Sequence, residues 1–440
     1  MIKKSILLVP LFFLCFTVFP QEGYKTLTLQ ECVKIALENN LWVKKGYYNL
    51  RSSEINLTQS KMALLPSLNA GSSYGKNFGR ALNPVDNNFV NKNSNTANFQ
   101  ASSSVLVFNA FRLQNNIRQS TKDYQATDQD LAKAKNDVML SVVNNYTNVV
   151  FNKELFENAN YQLKSSQEQL DRIKKQVQAG SIPMSNQLNQ EAQVATNEVN
   201  LINQENALNF SILQLKQAMQ IPGSTTIDVV IPPVELQDLV LENTPDEIYE
   251  TSLSTMPEIK SALLRMEGSE FALKAAKGNL YPRVALNGSS QTNYSNLSSF
   301  VFKDQFNNNL YKSISMSLTI PIFNGLQARS AVQRAVVSKE MASIAKQETE
   351  NTLRQNIETA YNDALAASKS YAASLKQVNA REEAYRMTKQ RFEIGAANYV
   401  EFRISENDLF QAKSDLARAK YNFIFRKKLL DFYQGKSIEF

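Results

Sequence analysis

The residue types that most enzymes use for proton transfer and metal binding are scarce in this chain. None of its 440 residues is a histidine, which removes the commonest general base and the commonest metal ligand and disfavours triad and zinc hydrolases. The only hint of a phosphate loop, Gly435-Lys436-Ser437, lacks the upstream glycine that a nucleotide cradle needs. What remains for chemistry is 41 Asp+Glu against 48 Lys+Arg, so an enzyme of this composition would work by carboxylate pairs or through a cofactor. A carboxylate pair needs a compact domain with a cleft to hold it, and the organisation of the chain offers none. The expectation is a protein that is not an enzyme and carries no cofactor and no metal.

The elements that would position any site come in two copies. Glu54 to Lys61, followed by Leu64, Leu65 and Pro66, returns at an offset of 216 as Glu270 to Lys277, followed by Leu280, Tyr281 and Pro282. Val107 to Ala110 answers Ile322 to Gly325, and Val177 to Gly180 answers Phe392 to Gly395, both at an offset of 215. Matched landmarks on one spacing indicate an internal duplication. The expected division is a first repeat over 21–220, a linker over 221–245, a second repeat over 246–434 and a tail over 435–440. Pro222, Pro232, Pro233 and Pro245 mark the linker, because proline at that density cannot continue a helix.

Each repeat has the same order of parts. A helix (29–63, then 246–279) leads to two extended segments (64–78 and 97–109, then 281–294 and 310–323). Ile314, Met316, Leu318 and Ile320 share one face of the last segment, with Ser and Thr on the other. Its counterpart sets Phe99, Ala101, Val105 and Val107 against Gln100, Ser102 and Ser104. Period two with one apolar and one small polar face signals strands between unlike environments. The joining loops, around Gly79 to Thr96 and Ser295 to Asn309, are rich in Asn and Ser. Phe78, Phe89, Phe300, Phe302, Phe306 and Tyr311 in or beside them fit an interfacial aromatic belt or plain loop packing.

Long proline-free helices follow, over 111–179 and 326–394, each about 100 Å at 1.5 Å per residue. Val142, Val149, Phe156, Leu163, Leu170 and Val177 recur every seven residues, as do Ile357, Ala364, Tyr371, Val378, Tyr385 and Phe392. A sustained repeat of seven identifies coiled-coil packing. Each helix stops at a glycine, Gly180 or Gly395, and a return helix (183–220, 398–434) keeps the repeat through Leu215 and Leu430. These are hairpin tips.

Residues 1–20 read as an export signal, with Lys3 and Lys4 ahead of an apolar run from Ile6 to Phe19. Removing them leaves Cys32 as the single cysteine, so no internal disulfide is expected. The net charge of +7 is mild for this length and no dense Lys/Arg tract occurs, so no nucleic-acid partner is expected.

Four strands cannot close a membrane barrel, and open edges are intolerable in lipid. If the strands enter a bilayer, several chains must share one barrel, and three chains would give twelve strands. The chain resembles the TolC-like outer membrane efflux proteins of Gram-negative bacteria over essentially all of its mature length. The carriers are the duplicated helix-strand-strand-helix-helix unit, the Leu318 to Gly325 strand-to-helix junction, and the return hairpin from Gly395 to Leu430 with Glu406 to Leu409 inside it.

The resemblance implies a mixed, mostly α fold: a homotrimer whose twelve-stranded outer membrane β-barrel is continuous with a periplasmic α-helical barrel. It implies contact with outer membrane lipid, and docking to a periplasmic adaptor (membrane fusion) protein and an inner-membrane transporter. The implied function is a passive exit channel of a tripartite efflux pump or a type I secretion system. The alternative from another class is a soluble exported coiled-coil scaffold or adaptor.

The resemblance also implies site residues. Tips carrying Gly180 and Gly395 would form the turn and the adaptor-docking surface. Glu401 falls on one acidic pore position of the family, Ile404 stands where a second acid is expected, and Glu406 and Asp408 are nearby but off register. Asn186 takes the acidic partner position in the first repeat, and Phe392 and Ala397 replace the tyrosine and arginine of the family's polar gate. Closure would then depend on Phe392 and Tyr399. The implied pore constriction is Glu401, Asn186, Phe392, Tyr399 and Glu406.

Overall fold

The computed structural model describes residues 25–83, 87–231 and 241–436. The expected export signal, part of the expected linker and the last residues of the tail lie outside the described residues. In chain order the elements are β1 (Lys25–Leu27), α1 (Leu29–Asn39), α2 (Leu41–Met62), β2 (Ser67–Asn77), β3 (Arg80–Leu82), β4 (Phe89–Asn91), β5 (Ser94–Phe108), α3 (Arg112–Gln178) and α4 (Met184–Met219). They continue with β6 (Ile227–Val229), α5 (Pro245–Thr255), α6 (Pro257–Gly278), β7 (Arg283–Ser295), α7 (Phe302–Asn308), β8 (Tyr311–Thr319), α8 (Gln327–Glu393) and α9 (Tyr399–Tyr433).

The first helix of each repeat differs from the single piece expected. Each is broken at one residue, Asn40 or Met256, that adopts an extended backbone. In the second repeat the cause is Pro257, which pushes the residue before it out of the helical region. In the first, the Asn40 side chain accepts a bond from Trp42 N at 2.8 Å and so caps α2. Capping boxes at Thr28–Glu31 and Thr244–Glu247 start α1 and α5.

Strands β2, β5, β7 and β8 form one antiparallel sheet in that order. Its registers place Leu68, Ala70, Tyr74, Phe99, Ala101, Val105, Leu286, Ile314, Met316 and Leu318 on one face. The other face carries Ser73, Asn98, Gln100, Ser104, Asn287, Ser289, Ser313 and Ser317. On it Ser104 Oγ donates to Asn287 Oδ1 at 2.8 Å, Asn287 Nδ2 donates to Ser317 Oγ at 3.2 Å, and the Ser289 and Ser313 hydroxyls meet at 2.7 Å. A shift in register between Leu106 and Phe108 leaves Val107 without a ladder partner, and the alternation ends there.

The apolar face stays largely open: Leu68 is 79% exposed, Ile314 84% and Met316 75%. Each such side chain forgoes about 1.5–3 kcal/mol of burial. Of the two loops expected beyond the strands, the second contains α7, whose Phe302 and Phe306 pack on Phe99 at 6.2 and 5.8 Å. Gln305 fixes that helix, accepting from Ser295 N at 2.9 Å and donating to Phe300 O at 2.6 Å. The first loop pairs β3 with β4 and sets Arg80 over the Phe89 ring.

The main core lies beside the middle of α3, where Val142, Val149, Val150, Cys32, Ala36, Leu215 and Met219 are buried together. Burial pushes the Cys32 thiol up to about 12, as befits a packed helix residue. Strands β1 and β6 pair in parallel against this core. The Tyr146 hydroxyl donates to Val230 O at 2.7 Å, and Lys153 Nζ to Asp228 Oδ1 at 2.8 Å. A second cluster joins Ile248, Ile259, Leu353, Ile357 and Leu430, from the corresponding parts of the second repeat.

Along the distal half of α3 the most buried line moves off the expected one. Val142 and Val149 are fully buried, but from Phe156 onward Ala159, Ser166 and Ile173 take over, still seven apart. Phe156, Leu163, Leu170 and Val177 become half-buried. They are the companion line of the same heptad, three residues on. Inserting one alanine after Phe156 rotates everything distal by about 100° and turns Ala159, Ser166 and Ile173 out of their contact. The expected outcome is rapid limited proteolysis of α3 between Phe156 and Gly180, with the sheet end still protected; a digestion pattern equal to that of the parent chain would count against the seam.

Candidate functional site

Both tips use one piece of backbone chemistry. Gly180 and Gly395 have φ of 72° and 77°, the left-handed region that glycine enters without a Cβ clash. Gly180 N donates to Val177 O and Ser181 N to Gln176 O, each at 2.9 Å. Gly395 N donates to Phe392 O at 3.1 Å and Ala396 N to Arg391 O at 2.7 Å. This double bonding closes the orphan carbonyls of α3 and α8. A Cβ at either glycine would meet open space, so φ and not crowding requires the residue.

Glu401 sits in the first turn of α9 and is exposed. Its backbone N–H donates to Asn398 Oδ1 at 2.8 Å, and Asn398 Nδ2 donates back to Glu401 Oε1 at 3.0 Å. Arg391 lies 3.8 Å from Glu401 Oε2 and also donates to Ala396 O at 3.1 Å. The carboxylate therefore completes a helix cap inside its own tip while facing solvent. Asn186, at the equivalent place in the first repeat, is half-buried and its N–H donates to Pro183 O at 3.1 Å. Pro183 cannot offer the side-chain cap that Asn398 gives.

Phe392 and Tyr399 meet inside the second hairpin, with ring centroids 6.4 Å apart. Phe392 stacks more closely on Phe402, at 4.9 Å and 16°. Tyr399 is buried, and its hydroxyl donates to Gln190 Oε1 on α4. Gln190 Nε2 in turn donates to Ser166 O at 2.8 Å. Burial and the nearby Glu406 push the Tyr399 hydroxyl pKa up, against the opposing pull of Arg403.

Glu406 is not on an open surface. It is 5% exposed, and Ser165 Oγ on α3 donates to its Oε1 at 3.0 Å. Burial pushes its carboxyl pKa up, opposed by the Ser165 bond and the charge of Lys389. Five residues turn a helix by about 140° beyond a full circle, which carries Glu406 away from Glu401 and into the contact between the two hairpins. Of the implied constriction residues, Glu406 is thus buried against α3, whereas Glu401 is exposed at the tip.

The residues brought together are therefore a ladder between α9 and the first hairpin: Tyr399 with Gln190, Arg403 with Gln193 at 3.1 Å, and Glu406 with Ser165. Gln190, Gln193, Ser165, Phe402 and Arg391 escaped the sequence reading. A signal for two of them was present, since Gln190 and Gln193 occupy the buried face of α4 next to Val194, where a polar residue needs a partner. Among the described residues no cluster of acids, cysteines or histidines could hold a metal ion.

The geometry is that of long helical hairpins set on a small sheet, with capped glycine tips. The family model described as outer membrane efflux protein matches residues 32–219 and 248–428, one match in each repeat. The chain is 21% identical over 412 residues to the outer membrane efflux protein BepC of Brucella suis, covering 93% of this chain and 85% of BepC. It is 21% identical over 418 residues to the outer membrane protein TolC of Escherichia coli, covering 92% of this chain and 82% of TolC. Its fold superposes on a crystal structure of CusC with a TM-score of 0.79 at 15% identity, covering 96% of each chain. With the match running through both repeats, the chain belongs to the outer membrane efflux protein family.

Proposed function

We propose that three copies of this chain form a passive channel through the outer membrane, with a helical tube extending into the periplasm. The observation that carries this reading is the sheet. Its strands of 11, 15, 13 and 9 residues fit the roughly 9–11 residues a tilted strand needs to cross a bilayer. β2 and β8 each have a free edge among the described residues, so a neighbour's β2 can pair with β8 and close a twelve-stranded ring. In that ring the exposed apolar face meets lipid and the Ser/Asn face lines water.

The channel supplies no energy of its own. Its periplasmic end, with the Gly180 and Gly395 tips, is the part placed to meet a periplasmic adaptor and, through it, an inner-membrane transporter, in an efflux or type I secretion assembly. Glu401 and Asn186, on the first turns of α9 and α4, are polar side chains close to the entrance. Threefold repetition of Glu401 would set three carboxylates around a narrow throat and attract cations. Phe392 and Tyr399 act behind it, by holding the second hairpin shut on itself and on α4.

Light scattering on detergent-purified protein should give the mass of three chains; a stable, folded monomer would overturn the reading. Met316→Arg puts a charge on the proposed lipid face at a cost of about 2–4 kcal/mol near mid-membrane. The carbonate-resistant trimer fraction should fall sharply, whereas Ser315→Arg, on the opposite face, should leave more of it. In planar bilayers Glu401→Gln should lower cation preference and Asn186→Asp should raise it. Unchanged reversal potentials in both would remove the tips from the selectivity of the pore.

A further inference from the structure

A cavity of about 430 Å³ opens far from the tips, where the sheet meets the long helices. Arg112 at the start of α3, Arg283 at the start of β7, Asn109, Asn279, Asn324 and Gln327 line it. No carboxylate lines it among the described residues, and among them neither guanidinium has an ion pair. Where an arginine of this fold lies beside an acid it pairs with it, as Arg381 does with Asp408 at 2.8 Å and Arg426 with Asp363 at 3.0 Å. Two unneutralised cations sharing one cavity repel each other, so the arrangement stores positive potential for a ligand to relieve.

Asn109 also borders the cavity; it is 7% exposed, and its Nδ2 is buried without an acceptor, which costs about 1–3 kcal/mol. The backbone adds to the effect. α3 and α8, each 67 residues long, begin beside the cavity at Phe111 and Leu326, left-handed residues that give no side-chain cap. The first N–H of each helix is taken by a backbone carbonyl, Arg112 N by Asn109 O at 3.1 Å and Gln327 N by Asn324 O at 3.2 Å, and Ala328 N reaches Asn324 Oδ1 at 3.5 Å. The positive helix ends favour an anion nearby. Gly278 keeps the floor open: a Cβ there would lie 3.1 Å from Arg112 Cβ and 3.4 Å from Ala110 O.

The register fixes which side of the sheet this is. Arg283 pairs with Thr319, in step with Ala285–Ser317 and Asn287–Ser315 on the polar face. We propose that this cavity binds an oxyanion, the phosphate or carboxylate group of a small solute, with Arg112 and Arg283 as its charged ligands. That it lies on the water-filled inner wall rests on the channel reading, under which three copies place six arginines around the tube just below the barrel. Anionic solutes would then dwell at this level.

The test uses the full chain in detergent, with inorganic phosphate followed by ³¹P line broadening. Wild type should broaden the signal saturably, Arg283→Gln and Arg112→Gln should each weaken binding at least fivefold, and the double variant should abolish it. Lys339→Gln, on the same helix as Gln327 but away from the cavity, should change nothing. Arg283 is exposed, so its single variant remains informative if the double variant misfolds. No saturable broadening in wild type, or binding by Arg283→Gln within twofold of it, overturns the site. Displacement of phosphate by phosphatidylglycerol in mixed micelles would assign the site to a lipid headgroup and overturn its inner-wall placement. The mass measured on the same sample separates the two readings: a trimer without phosphate binding sinks the site alone, and a monomer that binds phosphate sinks the channel and keeps the site.

Discussion

A four-stranded antiparallel sheet with two open edges and one apolar face is an unfinished object. Each edge carries a row of backbone N–H and C=O groups, and in water those groups find partners at little cost. In hydrocarbon each unmet group costs several kcal/mol, so a bilayer accepts the sheet only after it closes. The apolar face sets the opposite demand. Ile314, Met316, Leu318 and Leu68 stand exposed with no helix laid over them, although the chain has helices in abundance. Water penalises the face and lipid penalises the edges. Closure in a membrane with further copies satisfies both, and the sequence builds the two faces so that it does: β8 alternates Ile, Met and Leu with Ser and Thr without a break.

The helices obey a related limit. A hairpin of this length meets different partner helices along its span, α2 and α6 toward the sheet and its own return helix toward the tip, so each seam is narrow and the remaining surface polar. The structure shows how the narrow seam is spent. Near the middle of α3 and α8, Val142, Val149, Ile357 and Ala364 are fully buried beneath the short helices α1 and α5. Farther out those helices end and the buried line shifts to Ala159, Ser166 and Ile173. There polar pairs replace apolar area: Tyr399 with Gln190, Arg403 with Gln193, Glu406 with Ser165. Buried polar pairs fix geometry more than they add stability, because removing one partner strands the other. The distal hairpins are therefore held in a set register by polar pairs beside the Phe392–Phe402 stack.

Much of this was legible before any coordinates. Strand faces and heptads are one-dimensional periodicities, and period two and period seven survive in the letters alone. The tip glycines were legible for the same reason, since a left-handed turn after a helix leaves few other choices. Three features were not. The break at Asn40 follows from one side chain choosing Trp42 N, a local competition that composition does not reveal. Helix α7 forms where Asn and Ser suggest a loop, because Phe302 and Phe306 find Phe99 across the sheet. Glu406 looks like an acid near a tip until the packing of α9 on α3 turns it inward to Ser165. The last two misses are long-range contacts overriding a local pattern.

The capping role of Glu401 and a role in the throat are usually set against each other, but here they are the same geometry. A carboxylate in the first turn of α9 is held by Asn398 and so cannot swing away from the tip. In the proposed channel Arg391, 3.8 Å from that carboxylate, would mute it: at about 8 Å, the screening length in physiological salt, a carboxylate with a guanidinium beside it acts as a dipole more than as a charge. The same guanidinium donates to Ala396 O at 3.1 Å, inside the turn made by Gly395, so the turn that reverses the chain also positions the cation beside Glu401, whereas Asn186 at the equivalent place in the first repeat carries no charge.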